Sequence, residues 1–339
     1  MGGLSRRYIK VQELKSEGKN PIILDAGDLF FSTTNLNKNN IESEEYRAGA
    51  ILEGYGKIGC DAINVGKYEL LNGLSFLKKI SSKTDIPFLS ANLRDSKTKE
   101  LLFQPYIILN RGDLSFGIIG VTSLLPDTTT FVDADEFIQA GNNYIDKLSG
   151  ETDIIIMLIN TDRQSQKDLA ESFENADFIV TSGSTNLTRT NASQRENGPY
   201  MFSCGKQGKY LQTIEAKLKD PSSSFVNISD HEKKINNVKK RFERLQKKDP
   251  KKNLEEIYKD QANVLKLIDQ YRIDLKSSED AIAQAKNTII YQTIGLNKKI
   301  TDDSEMLSFV NQSLSKCKAL KPPVKDLKKT KIDHSGHNH

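Results

Sequence analysis

An α/β fold carrying an inserted helical hairpin is what the sequence predicts, and three observations predict it. Short apolar runs bounded by turn formers alternate with amphipathic stretches over the first 90 residues or so, the rhythm of strands and covering helices. Between 230 and 286 the composition changes to Lys, Glu, Asp and Gln with almost no Gly, and two apolar stripes at helical spacing run through it. Beyond it Thr288–Leu296, TIIYQTIGL, again reads as a strand, so the helical stretch departs from a sheet and returns to it.

Each element has its own local reason. Leu4–Glu17 places Tyr8, Ile9, Val11 and Leu14 on one helical face and stops at Gly18. Pro21–Phe30, PIILDAGDLF, is the stretch around which the rest is organised. Its apolar run ends in Asp25-Ala26-Gly27-Asp28, where a glycine turns the backbone and presents Asp28 at a strand's carboxyl end. A polar loop, Ser32–Asn40, leads to a helix over Glu44–Ile58 that ends at Gly59. Asp61–Val65 and Pro87–Leu89 read as short strands with a helix, Leu71–Ile80, between them.

From Gln104 the pattern shifts. Tyr106–Leu109 and Ser115–Val121 flank Arg111-Gly112-Asp113, a hairpin signal. Helices are expected over Ala134–Leu148 and Gln164–Glu174, and strands over Asp153–Ile159 and Phe178–Thr181. Pro199–Cys204 and Lys209–Leu218 read as consecutive antiparallel strands. In the helical stretch one stripe holds Ile235, Val238, Phe242 and Leu245. The other holds Leu254, Ile257, Val264, Leu265, Ile268, Tyr271 and Leu275, with Lys247–Pro250 breaking the two. This predicts an antiparallel hairpin of coiled-coil character whose stripes pack together, and a long arm of that kind also serves as a docking surface. Thr288–Leu296 is best placed beside Lys209–Leu218. A last helix over Asp302–Cys317 takes Thr301 as its N-cap.

Composition narrows the function classes. The 339 residues hold 37% hydrophobic and 28% charged side chains, enough for a sizeable core and one strongly charged part. A net charge of +4, with no basic stripe interleaved with aromatics, argues against a nucleic-acid partner. No apolar stretch reaches membrane-spanning length, and the first residues lack the apolar core of a signal peptide. Cys60, Cys204 and Cys317 are too few and too scattered for a disulfide framework or a zinc knuckle. The Lys- and Pro-rich end, with His334, His337 and His339, reads as a disordered tail whose imidazoles bind a divalent metal only adventitiously.

Several stretches, in order, resemble one family. They are Gly2–Arg7, Leu24–Asp28, Gly59–Gly66, Pro87–Asn92, Phe116–Thr122, Asp153–Leu158, Asp177–Gly183 and Gly205–Leu211. Together they resemble the 5′-nucleotidases of the calcineurin-like metallophosphoesterases. The resemblance implies a four-layer α-β-β-α sandwich with two central sheets, formed by residues 1–220 together with 287–317. The hairpin, 229–286, is then an insertion, and 318–339 the tail. It also implies two divalent metal ions that clamp a phosphoryl group and activate water, as two-metal phosphoesterase sites do.

Carried over residue by residue, the family's ligand set is largely absent. The bridging aspartate falls on Asp28, its sole remnant. The Gly-Asn-His-Glu signature falls on Gly66-Lys67-Tyr68-Glu69, which replaces a metal-binding asparagine by Lys67 and the catalytic histidine by Tyr68 and leaves Glu69 in place. A histidine expected after the strand Asp153–Leu158 falls on Asn160, and both histidines of Gly-His-Ser-His fall on Gly183 and Thr185. The opening Asp-x-His motif would precede Gly2. No histidine occurs anywhere in 1–230.

The expectation is therefore a catalytically inactive pseudo-phosphoesterase with no catalytic residues and no cofactor, acting as a scaffold or protein-binding module. An Asp28–Lys67 ion pair is expected in the old metal position, because an uncompensated buried charge is costly. The alternatives are a divergent metal-dependent phosphoesterase, completed by an N-terminal motif missing from this chain, or a metal-free nucleotide-binding module. The hairpin followed by Leu296–Glu305 also looks like nucleotidase-like extracytoplasmic proteins, some of which lead into multihaem cytochrome domains. That similarity implies a periplasmic or cell-surface setting and a redox or cytochrome assembly as the hairpin's protein partner.

Overall fold

In the computed structural model, residues 3–127, 129–190, 192, 194–195 and 198–322 are described. The elements run α1 (Leu4–Ser16), β1 (Leu24–Asp25), α2 (Ile41–Ile58), β2 (Ala62–Asn64), α3 (Gly73–Ser81), β3 (Phe88–Leu89) and β4 (Leu93–Asp95). Next come β5 (Tyr106–Arg111), β6 (Leu114–Thr122), β7 (Val132–Ala134), α4 (Phe137–Leu148), β8 (Ile154–Asn160), α5 (Leu169–Ser172), β9 (Phe178–Ser182) and β10 (Tyr200–Ser203). The last are β11 (Tyr210–Lys217), β12 (Phe225–Asn227), α6 (Ser229–Gln246), α7 (Leu254–Ile257), α8 (Ala262–Gln284), β13 (Asn287–Gly295) and α9 (Ser304–Ala319).

Two sheets stack at the centre. One is parallel, in the order β1-β2-β3, with Leu24 opposite Ala62 and Ile63 opposite Phe88. The other runs β10-β9-β8-β6-β5, parallel except for the β5–β6 hairpin across Gly112. Ala26, Ala62, Leu89, Ile118 and Leu158 fill the space between the sheets. Small residues there let the sheets approach: a Cβ on Gly120 would lie 2.8 Å from the Leu89 Cβ.

Helices close both outer faces. Leu4, Val11, Leu52, Ile58, Leu77 and Val310 pack α1, α2, α3 and α9 onto the first sheet. Ile145, Leu148 and Phe173 pack α4 and its neighbours onto Val121, Met157 and Ile179 of the second. The result is the expected α-β-β-α layering.

A third sheet, β11-β13-β12, joins at one end through Phe178, Phe202, Phe225, Ile289 and Tyr291. β13 pairs antiparallel with β11 from Tyr210–Gly295 to Lys217–Thr288, where the sequence placed it. The helical excursion leaves after β12 and returns at β13. Leu254, Tyr258 and Ile268 form its own small core with Phe242, Leu245 and Val264. Phe242 meets Tyr271 edge to face at 6.0 Å. The two stripes therefore pack on each other.

Four local expectations are corrected. Pro199–Cys204 and Lys209–Leu218 are not an antiparallel pair: β10 pairs parallel with β9, and β11 belongs to the third sheet. The helix expected over Gln164–Glu174 is a 3-10 turn, Ser165–Lys167, followed by the four-residue α5. The Asp162 carboxylate captures the N–H groups of Gln164 and Ser165, and Gln166 is drawn into the loop after β9. The break after α6 is followed by an extra turn of helix, α7, capped by Asn253. Helix α9 takes Asp303 rather than Thr301 as N-cap, its carboxylate accepting the Met306 N–H at 2.8 Å. The tail histidines His334, His337 and His339 lie outside the described residues.

Candidate functional site

The loops that follow β1, β2, β8 and β9 meet at the carboxyl ends of their strands, where open α/β sheets place their sites. After β1, Gly27 has φ +99°, and a Cβ there would lie 2.9 Å from the Gly66 nitrogen. Only glycine fits between the two loops. The next residue, Asp28, is itself left-handed at φ +64°.

Glu69 holds the two loops together. It is fully buried, and its Oε2 accepts the N–H groups of Asp28 and Gly66, each at 2.9 Å. Its Oε1 accepts the Leu29 N–H at 2.7 Å. Burial, with Asp28 alongside, holds the Glu69 carboxyl well above the usual carboxylate range despite these donors.

Asp28 Oδ1 accepts the Tyr68 N–H at 3.0 Å, while the Asn160 side chain, Lys67 and the Gly183 N–H face the same carboxylate. Burial still raises its pKa. The expected Asp28–Lys67 ion pair is not formed among the described residues. Lys67 acts on Asp28 only as a nearby charge, and its backbone N–H instead donates to Asn160 Oδ1 at 3.0 Å. The neighbouring N–H groups and the Asn160 amide satisfy the carboxylate without a salt bridge.

Asn160 ties three loops together. Its Oδ1 also accepts the Thr122 hydroxyl at 3.1 Å, and its Nδ2 donates to the Ser182 hydroxyl at 2.7 Å. Ser182 in turn donates to the Ala26 carbonyl at 2.6 Å. Gly183, at φ +82°, passes so close to Thr161 that a Cβ would lie 2.4 Å from its carbonyl oxygen. Thr185 sits two residues on, at an exposed loop position. The structure thus gathers Asp28, Lys67, Tyr68, Glu69, Asn160 and Gly183 at one point and leaves Thr185 at the rim.

Two supports escaped the sequence reading. Asn64, fully buried in an apolar strand, donates to the carbonyls of Ala26 and Val121 and so pins one sheet to the other. An amide at the end of Ala62–Val65 was the available signal. Behind Asp28, the Tyr55 hydroxyl donates to Asp25 Oδ2 at 2.7 Å, and the half-buried Arg7 guanidinium donates to Tyr55. Burial raises the Asp25 carboxyl, although Tyr55, Arg7 and the Gly27 N–H oppose it.

Among the described residues, no three His, Cys, Asp or Glu side chains gather closely enough to share a metal ion. A cavity of about 310 Å³ opens nearby, lined by Arg163, Gln166, Asn186, Thr188 and Phe202 among others.

No family model matches the chain. Among curated proteins it is 35% identical over 111 residues to a 5′-nucleotidase of Vibrio parahaemolyticus, covering 33% of this chain and 19% of that one. It is 24% identical over 247 residues to the snake venom 5′-nucleotidase of Naja atra, covering 68% and 45%. The matches thus span less than half the length of either relative. Among solved structures, the sulfate thiohydrolase SoxB of Thermus thermophilus superposes with a TM-score of 0.63 at 15% identity, covering 94% of this chain and 47% of that one. The calcineurin-like phosphoesterase YfkN of Bacillus subtilis gives 0.62 at 16%, covering 94% and 90%.

The fold is that of the calcineurin-like phosphoesterases. The curated matches are to 5′-nucleotidases, so over part of its length the chain is similar in sequence, as it is in fold, to proteins of the metallophosphoesterase superfamily.

Proposed function

We propose that this protein is a non-hydrolytic member of that superfamily, a folded scaffold whose helical hairpin is its docking arm, working outside the cytoplasm. One observation carries the loss of hydrolysis: the family's ligand positions are taken by groups that bond to each other. Glu69 spends both oxygens on three backbone N–H groups, Asn160 bridges Lys67, Thr122 and Ser182, and Gly183 has no side chain. A divalent transition-metal pair needs several imidazole, amide or carboxylate donors aimed at two points about 3.5–4 Å apart. Asp28 alone remains free to face such a point, with Lys67 adding a positive charge beside it. The residues present do not fit two metal ions.

The extracytoplasmic setting rests on the matched relatives, one of them a venom protein. Metal analysis of the purified chain, with a phosphomonoester assay in manganese, tests the reading. The expected outcome is no stoichiometric metal once 323–339 is removed, and no turnover. Two tightly held equivalents with turnover would overturn it.

A metal-free nucleotide site has the cavity beside Arg163 in its favour. At about 310 Å³ it lies at the floor of the ~300–1,000 Å³ range of ligand pockets. Its Gln166, Asn186 and Ser203 are already bonded among themselves and their loops. Adenosine monophosphate without metal is therefore expected to leave the melting temperature unchanged; a dose-dependent rise would favour this second reading.

A further inference from the structure

Helix α6 is basic on the face that its own hairpin leaves open. Between 229 and 253 the chain carries ten Lys or Arg against four Asp or Glu, while the whole molecule is only +4. At 100° per residue, Val238, Phe242 and Leu245 turn toward α8. Lys233, Lys240, Arg244 and Lys247 lie on an arc of about 60° turned away from it, while Lys234, Arg241 and Lys248 flank its edge. All seven are exposed. The row from Lys233 to Lys248 is ~22 Å long.

These cations are not neutralised within the fold. Of the ten, Lys252 alone has an ion pair among the described residues, with Asp249 at 3.6 Å. Arg241 and Lys248 lean over the rings of Tyr271 and Tyr258, at 4.9 and 5.0 Å. Lys240 and Arg244 are like-charge neighbours one turn apart, an arrangement that weakens a helix. A face that served only solubility would interleave the signs, as α8 does with Asp269 and Arg272.

We propose that this stripe is a docking surface for an anionic phospholipid bilayer. The inference rests on the hairpin being the docking arm and names what the arm meets. Three observations choose this occupant. The helix's apolar face is already covered, so contact must be electrostatic and adsorptive rather than inserted. Five of the seven cations are lysines, compact point charges that suit a field of phosphate headgroups, whereas protein interfaces enrich Arg and deplete Lys. No aromatic lies on the arc, so bases would find nothing to stack on.

Vesicle co-sedimentation of the full chain tests this. At about 0.1 M salt the chain should bind vesicles containing about one-third phosphatidylglycerol and ignore pure phosphatidylcholine. Binding should fade toward 1 M salt as the screening length shrinks from about 10 to 3 Å. Lys240→Gln, Arg244→Gln and Lys247→Gln should each weaken it about fivefold, and the triple variant about a hundredfold. Because the tail is also Lys-rich, a Lys328→Gln/Lys329→Gln/Lys331→Gln variant is the comparison and should bind like the parent. Unchanged binding by the α6 triple variant, loss confined to the tail variant, or equal affinity for duplex DNA would each overturn the proposal. Vesicle binding does not depend on metal content or phosphomonoester turnover, so a failure here and a failure of the non-hydrolytic reading are separately visible.

Discussion

Glu69 accepts three backbone N–H groups with a fully buried side chain, so its removal strands those donors. Each stranded buried donor costs about 1–3 kcal/mol. Glu69→Ala should therefore lower stability in urea melts by about 3 kcal/mol or more, and Glu69→Gln by less. Lys67→Ala should change stability by no more than about 0.5 kcal/mol, since Lys67 makes no ion pair to lose. The carboxyls of Asp25, Asp28 and Glu69 are all raised by burial, and that of Asp177 is pushed up to about 6 by the same cause. A carboxyl whose folded pKa lies above its unfolded value binds protons more tightly in the folded state. Its stabilisation is then lost as pH rises from the ordinary carboxyl range through the folded pKa. The urea midpoint should accordingly fall between pH 4 and 6, with on the order of 2 kcal/mol of that fall absent in Asp177→Asn. An Asp177→Asn profile that overlays the parent would contradict the assignment.

At the scale of single elements, caps and turn-formers decide boundaries that apolar periodicity leaves open. Thr301 and Asp303 are both acceptable N-caps by residue type, and the carboxylate that reaches the Met306 N–H is that of Asp303. Asp303→Ala should cost about 1 kcal/mol in thermal or urea unfolding, and Thr301→Ala less than about 0.5. The hairpin buries its own stripes, and its ends sit beside each other where β12 runs parallel to β13, Phe225 opposite Asn287. Replacing 229–286 by a short Gly-Ser linker should leave the circular dichroism and cooperative unfolding of the remaining body intact. A molten or aggregated product would show that the arm is part of the core.

Across the whole molecule, the site is built where four strand ends from two sheets meet, and the cross-sheet bonds of Asn64 and Ser182 hold them there. Much of this was legible in the chain. LDAGD marked one loop by its own residues, because a glycine-tight turn after an apolar run is a local event, and the family resemblance placed GKYE, Asn160 and Gly183–Thr185 on the other three. What was not legible were the partners chosen across the fold: the Tyr68 N–H and Asn160 amide beside Asp28 in place of Lys67, and the parallel seat of β10 beside β9. Neither choice leaves a periodic trace, since residues 28 and 160 meet only after both sheets have stacked.

The main alternation of strands and helices, the self-packing hairpin and its return to the sheet at β13 follow from the chain alone, because apolar spacing, glycine stops and turn residues act over a few positions. Which groups satisfy Asp28, which residue caps α9, and that the cations of α6 are left without ion pairs required the folded molecule. Those outcomes depend on burial and on distances between residues far apart in sequence, and a buried polar group takes whichever donor the packing leaves within reach.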